Sequence, residues 1–312
     1  MMSANYLRLI SASCIFFLFS GCNGTHRVST ANSSAAVEAT KDYIELRRAI
    51  DKIAPFFKSM GKPGKDDWLW TYKEPGQTFE EYIASSPVVP TPDRKIIYIQ
   101  PLGEFRTDES KVITIVSDYV KAFYGLDVRK LPVKSLPPRL SEPDQRMIDY
   151  PKHRQIRTGY IMDEILRPAL PKDAAALIAF TSEDLYPDSS MYFVFGQASL
   201  ENRVGVWSLF RLDDRADFAR FLERTMKISV HEIGHMFSFR HCTKYECVMS
   251  GTNHLGETDR RPIDACPECM AKIAWMTKQK PIERYERLIG FARANKLKKA
   301  ILDFERKKKA VE

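Results

Sequence analysis

The run His231-Glu232-Ile233-Gly234-His235 places two imidazoles at i and i+4. On a helix these lie one turn apart on one face, close enough to hold a single ion. Glu232, between them, is a carboxylate able to take a proton from water activated by that ion. His241 follows six positions after His235. A continuous helix would turn it partly off that face, so the chain must bend after Phe237. Three neutral imidazoles hold zinc with a fourth tetrahedral position open to water, the pattern of a catalytic rather than a structural site. Zinc brings the pKa of such water to roughly 7. The plain alternative, three helix-surface or core histidines, requires Glu232 and both spacings to coincide.

Four cysteines follow, Cys242, Cys247, Cys266 and Cys269. Cys266-Pro267-Glu268-Cys269 is a C-x-x-C knuckle, and Cys242 with Cys247 supplies the other half. Four thiolates form a closed, structural zinc site, which would staple the segment bearing His241 to the loops beyond it. Two disulfides are the alternative in an exported chain. The cofactor expectation is therefore two Zn2+, one catalytic and one structural.

Elements must carry these groups. From Asp217 to Phe239 the apolar residues Phe218, Phe221, Leu222, Met226, Val230, Ile233 and Phe237 form one helical stripe. Upstream, residues 94–103, 126–134 and 175–181 read as strands, the last apolar enough to be covered on both faces. Residues 41–62, 109–124 and 159–169 read as helices; 63–93 show no period and are expected to wrap the surface. Strands alternating with helices imply an α/β body with a mostly parallel sheet. The step between strands 190–200 and 203–212 is too short for a parallel crossover, so that edge pair is expected to be antiparallel. The chain to 280 reads as irregular, and 281–309 as helical again.

The chain has 312 residues, 28% charged and 44% hydrophobic, an ordinary globular composition that argues against a mostly disordered chain. Residues 1–21 hold Cys14 in an apolar run too short to span a bilayer comfortably and read as a signal peptide. Ser20-Gly21-Cys22 resembles a bacterial lipobox, in which Cys22 is lipidated; a cleaved secretory signal and an uncleaved anchor are the alternatives. The expectation is an exported, membrane-anchored lipoprotein, with 22–40 a polar tether reaching about 20–25 Å. His26 lies there as a solvated residue. Without Arg8 the mature chain has 47 basic against 40 acidic residues, or +7. Much of the excess, Lys296, Lys298, Lys299 and 306–309, reads as a solvated helix face, with contact to an anionic membrane the sharper reading. No nucleic-acid motif accompanies it, and the protein is expected to act as a monomer.

HEIGHMFSFRHC, then Cys247-Val248-Met249 and Cys266-x-x-Cys269, resembles the archaemetzincins, whose hallmark is a metzincin zinc helix followed by a four-Cys second zinc site. FVFGQASL at 193–200, RKIIYIQPLG at 94–103 and GTNHLGETDRRP at 251–262 are similar to segments of the eukaryotic-type members, so the likeness covers about 63 to 290. Ser238 departs from it, standing where the metzincin signature has glycine. Serine at a left-handed helix exit costs on the order of 1 kcal/mol. The resemblance implies a metzincin-like zincin fold: a mixed, mostly parallel twisted sheet with an antiparallel edge strand, an active-site helix, and a smaller C-terminal subdomain with the four-Cys site. The upper subdomain would span about 41–239 and the lower about 240–312. It implies Met249 in a turn beneath the histidines, a role that overlaps with that of a core methionine. It also implies substrate binding along Gly196, Gln197 and Ala198 by strand addition, and a pocket walled by 251–254. His254 reads equally as a plain surface histidine.

The expected activity is hydrolysis of peptides or proteins by zinc-activated water with Glu232 as general base, some members of the family being regarded as aminopeptidases. Two rivals stand beside it. One is a non-catalytic, zinc-stabilised surface binding protein; the other is a secreted disulfide protein with one zinc.

Overall fold

The structure, a computed structural model, describes residues 41–199 and 202–312. Cys14, Cys22, the tether and the expected lipid anchor lie outside the described residues. Among the described residues no helix is long and apolar enough to cross a membrane.

Helix α1 (Lys41–Ile53) ends in a 3-10 turn. Two short helices, α2 (Trp68–Thr71) and α3 (Phe79–Ala84), stand in the segment expected to lack elements. α3 starts at a capping box in which Thr78 and Glu81 satisfy each other's backbone N–H groups. Strand β1 (Ile96–Leu102) leads to α4 (Thr107–Tyr124), which stops at Gly125 with φ +66°. β2 (Asp127–Lys130) follows.

A hairpin of β3 (Gln145–Asp149) and β4 (Lys152–Arg157) comes next. A helical turn at Thr158–Tyr160 then continues as a π-helix over Ile161–Leu166. β5 (Ala174–Thr181), β6 (Asp184–Tyr186), β7 (Gly196–Ser199) and β8 (Val204–Ser208) complete the strands. The remaining helices are α5 (Phe218–Met236), α6 (Leu255–Arg260), α7 (Pro267–Thr277), α8 (Pro281–Ala294) and α9 (Lys298–Val311).

The main sheet has the order β2-β1-β5-β8-β7, parallel except for β7, which runs antiparallel to β8 at the edge. Both faces are covered. Ile97 and Ile99 join the cluster containing Val116, Val120 and Ile233, while Ile96 and Tyr98 join a second cluster with Ile161 and Leu166. This is the period-2 split of a strand between two layers. Each aliphatic side chain so buried contributes roughly 1.5–3 kcal/mol. All eight residues of β5 are buried, as its unbroken apolar run requires.

Further expectations need correction: the stretch to residue 280, read as irregular, holds α6 and α7. A second sheet, β3-β4-β6, is absent from the sequence reading because β3 and β4 are mostly polar and do not alternate, and β6 is only three residues long. Residues 281–309 are two helices, α8 and α9, separated where Lys296 takes φ +58°. Lys307 is no solvated residue: its side chain is 2% exposed and its ammonium lies 2.9 Å from Asp264.

Asp264 also accepts from the buried guanidinium of Arg284 at 2.9 Å. The trio ties α8 and α9 to the loop preceding Cys266. Burial would push the Asp264 carboxyl up, but the charges of Lys307 and Arg284 hold it below its ordinary value. The folded state therefore favours the carboxylate. This contribution is present above about pH 4, the unfolded carboxyl's pKa, and is lost as the pH falls through the lower folded value. Asp264→Asn leaves the buried Arg284 without a carboxylate and Lys307 with Asp303 alone, and is expected to destabilise the protein by about 3–5 kcal/mol in urea unfolding at pH 7. A change below about 1 kcal/mol would deny the trio that role.

Candidate metal centres

α5 begins at Asp217, whose side chain accepts from the Arg220 N–H, and carries His231, Glu232 and His235 in its last two turns. Its exit is a Schellman motif. Phe239 N–H bonds to Gly234 O at 3.0 Å and Ser238 N–H to His235 O at 2.9 Å. Ser238 takes φ +65°, the left-handed conformation for which glycine is favoured. Its hydroxyl accepts from the Val88 N–H at 3.0 Å, a bond glycine could not make. That bond offsets a strain of about 1 kcal/mol. The motif reverses the chain and returns His241 to the helix face.

The three ring centroids lie 4.6, 4.9 and 5.2 Å apart. Each Nδ1 faces an acceptor. His231 Nδ1 is 2.8 Å from Val248 O, His235 Nδ1 2.6 Å from Phe239 O, and His241 Nδ1 2.9 Å from a Glu74 carboxylate oxygen. Nδ1 is thereby the protonated nitrogen, and the Nε2 lone pairs are left to converge. His231 Nε2 and His235 Nε2 are 3.0 Å apart, near the ~3.3 Å that two nitrogens on tetrahedral zinc would have. Burial, with His241 nearby, pushes His231 down to about 3, and burial pushes His235 down as well. Both imidazoles are thus neutral at pH 7, the form that binds metal. The donor set fits zinc.

Glu232 is 2% exposed. One of its carboxylate oxygens is buried with no hydrogen-bond partner, and burial pushes the group up to about 8. An opposite charge beside it would restore the ionised form. Met249 packs under the helix. A Cβ built on Gly234 would stand 2.7 Å from the Met249 sulfur, so a side chain at that position would drive the helix off the methionine.

The four cysteines are buried and unbridged, with all four sulfurs within 4.8 Å of one another. Cys242 Sγ and Cys266 Sγ are 3.5 Å apart, far beyond a disulfide and close to the ~3.8 Å of tetrahedral zinc thiolates. Cys247 Sγ accepts from the N–H groups of Met249 at 3.3 Å and Cys266 at 3.2 Å. Burial pushes the Cys247 and Cys266 thiols up, so four clustered thiolates require a cation among them. The two centres share a backbone: Cys242 N–H donates to Met249 O at 2.7 Å.

Other expected residues fall differently. Gly196, Gln197 and Ala198 lie on the edge strand β7, where Gln197 is hydrogen-bonded to Thr158. None of them lines the small cavity beside His231 and Glu232, which Val248, Ser250, Thr252, Thr258 and Arg261 help to wall. His254 does not line it either. It caps α6, its Nδ1 accepting the Glu257 N–H at 3.1 Å and its Nε2 facing Asp67 at 3.3 Å.

The segment 63–93 does more than wrap the surface. Trp68 packs edge-on to His241 with centroids 4.9 Å apart, and Glu74 orients that ring. No signal in the sequence marks Glu74, which stands 167 residues from its partner. Burial would raise the Glu74 carboxyl, but the hydrogen bond and charge of His241 keep it below its ordinary value. Glu74→Ala is expected to weaken zinc binding at the histidines by about 10–100-fold, measured by competition with a chelator. Unchanged affinity would mean that the ring needs no such support.

The sequence profile of peptidase family M54 matches residues 149–275. Archaemetzincin-2 of Homo sapiens is 32% identical over 280 residues, covering 78% of this chain and 77% of its own. Archaemetzincin-2 of Rattus norvegicus is 34% identical over 307 residues, covering 85% of each. The archaemetzincin of Archaeoglobus fulgidus is 31% identical over 179 residues, 57% of this chain and 99% of its own. Among solved structures, archaemetzincin from Methanopyrus kandleri matches at 28% identity with a TM-score of 0.49, covering 61% of this chain and 99% of that one. The chain belongs to the archaemetzincins, peptidase family M54, and is a zinc metallopeptidase.

Proposed function

We propose that the protein hydrolyses peptide bonds at His231, His235 and His241, with Glu232 as general base, and that it trims peptides from the amino end. Zinc bound there would supply the positive charge that polarises the peptide carbonyl and acidifies a water molecule. Glu232 takes the proton from the attacking water and hands it to the leaving amine. Val248 O, Phe239 O and Glu74 hold the rings in the required tautomer. Burial of the site excludes bulk water, which strengthens each of these interactions.

The observation that carries this reading is the unpartnered Glu232 oxygen beside three converging imidazoles. A zinc-stabilised binding protein would have no use for a buried carboxylate left without a partner, at a cost of about 1–3 kcal/mol. The four cysteines hold a second, structural zinc in this account. Edge strand β7 receives extended substrate by strand addition, between an upper part at 41–239 and a lower part at 240–312. Cys22 carries the lipid that anchors an exported monomer to a membrane.

A peptide library digested with and without 1,10-phenanthroline, read by mass spectrometry, tests the activity. The account expects chelator-sensitive loss of amino-terminal residues. Chelator-sensitive internal cuts would replace trimming by endopeptidase action, and an untouched library would favour the binding protein.

A further inference from the structure

The exposed residues of α9 are Lys298, Lys299, Leu302, Arg306 and Lys309. At about 100° per residue they fall within an arc of roughly 100° of the helix circumference. Leu302, 69% exposed, stands near the middle of that arc. No acid shares it. Asp303 is engaged by Arg306 and Lys307, and Glu305 by Arg293. Lys298, Lys299 and Lys309 have no acidic partner among the described residues. An ordinary solvated face mixes both signs of charge; this one carries a single sign around an exposed leucine. A groove lined by Phe56, Phe57, Leu297 and Leu302, as well as by Lys298 and Lys299, runs beside it.

Cations around exposed apolar groups complement a bilayer that carries anionic lipid, with phosphates at the headgroup level and hydrocarbon just beneath. A second copy of the chain is a poor match, because it would set four cations against four. The entry point of the tether argues for the membrane as well. The tether read at 22–40 runs into Lys41, the start of α1, and α1 packs against α9. A body held within about 20–25 Å of a membrane meets its surface repeatedly. Attraction over a Debye length of about 8–10 Å then suffices to orient it.

We infer that α9 is a membrane-facing element: Lys298, Lys299, Arg306 and Lys309 hold anionic phospholipid headgroups, and Leu302 enters the layer beneath them. The lipid on Cys22 sets the distance of the body from the bilayer, and α9 sets its orientation. Only the anchor is taken from the reading above. Arg261 lines both the groove beside α9 and the cavity beside His231, so a body seated on α9 keeps its zinc site near the lipid surface.

The test is co-flotation of the full chain with vesicles of phosphatidylcholine, alone or with about 30% phosphatidylglycerol, at about 0.1 and 0.5 M salt. Residues 1–40 are common to every variant, so differences between variants read the body alone. At the lower salt the phosphatidylglycerol vesicles are expected to bind at least about 30-fold tighter, and the higher salt to erase most of that preference. Lys298→Glu, Lys299→Glu and Lys309→Glu together should bring the ratio to within about threefold of one. Lys134→Glu, Lys152→Glu and Lys172→Glu make the same change in net charge on exposed residues outside α9 and should leave most of it. Both triple variants should unfold at the parent's temperature. Equal affinity for the two vesicles, a ratio untouched by the α9 reversals, or one lowered as far by the other set would overturn the inference. So would tighter binding to a soluble Asp- and Glu-rich peptide than to the vesicles, which would give the face to an acidic protein partner. Mass spectrometry of the cell-derived chain reads the anchor separately: Cys22 without lipid would remove the anchor and leave the vesicle result standing.

Discussion

Glu232→Gln is expected to keep its zinc and to lose peptide hydrolysis by about 10²–10⁴-fold. Glutamine has nearly the shape of glutamate but accepts no proton in the relevant range, so it removes the base and leaves the histidines in place. His231, His235 and His241 keep their Nδ1 acceptors in Val248, Phe239 and Glu74. Stability offers a second readout. A buried carboxyl pushed up to about 8 makes the metal-free fold less stable as the pH rises from its unfolded pKa, near 4, toward 8, because the ionised form is favoured only in the unfolded chain. The metal-free Glu232→Gln protein should therefore show a flatter stability profile between pH 5 and 8 than the metal-free parent. Undiminished hydrolysis by the variant would remove Glu232 from the reaction.

Cys247→Ser is expected to cost the protein both metals. Structural zinc in small domains contributes roughly 10–16 kcal/mol of apparent binding energy, as much as the whole stability of an ordinary domain. Serine replaces a thiolate that accepts two backbone N–H groups and opens the four-sulfur shell. The turn at Val248 and Met249 then loses its anchor. Val248 O orients His231, Met249 supports the helix at Gly234, and Cys242 directly follows His241. The variant should bind less than one zinc per chain, lose activity and expose buried surface at moderate denaturant. Retention of full activity with one zinc would separate the two centres.

The chemistry was legible in the sequence because it is local. The zinc helix announces itself within five residues, and His241 with four cysteines follows inside the next 34, so spacing alone brings them together. β1 and β5 were equally legible, their apolar runs demanding cover on both faces. What escaped depends on contacts that no short window contains. Glu74 and Trp68 reach His241 from the far end of the chain. Lys307 looks like one of a run of solvated lysines until Asp264 and Arg284 are seen beside it. The β3-β4-β6 sheet is built from short or mostly polar segments whose partners, not their pattern, make them strands. Ser238 marks a different limit. The strain of its left-handed conformation could be foreseen from its type, but the compensating Val88 bond could not.

Titration of peptide cleavage against bound zinc tests the account most directly. Metal-free protein is given zinc stepwise, and activity is recorded at each measured stoichiometry. The closed four-cysteine site should fill first and bring no activity; cleavage should then rise with the second equivalent and level off at two zinc per chain. Full cleavage at one zinc per chain, or none at two, would contradict it.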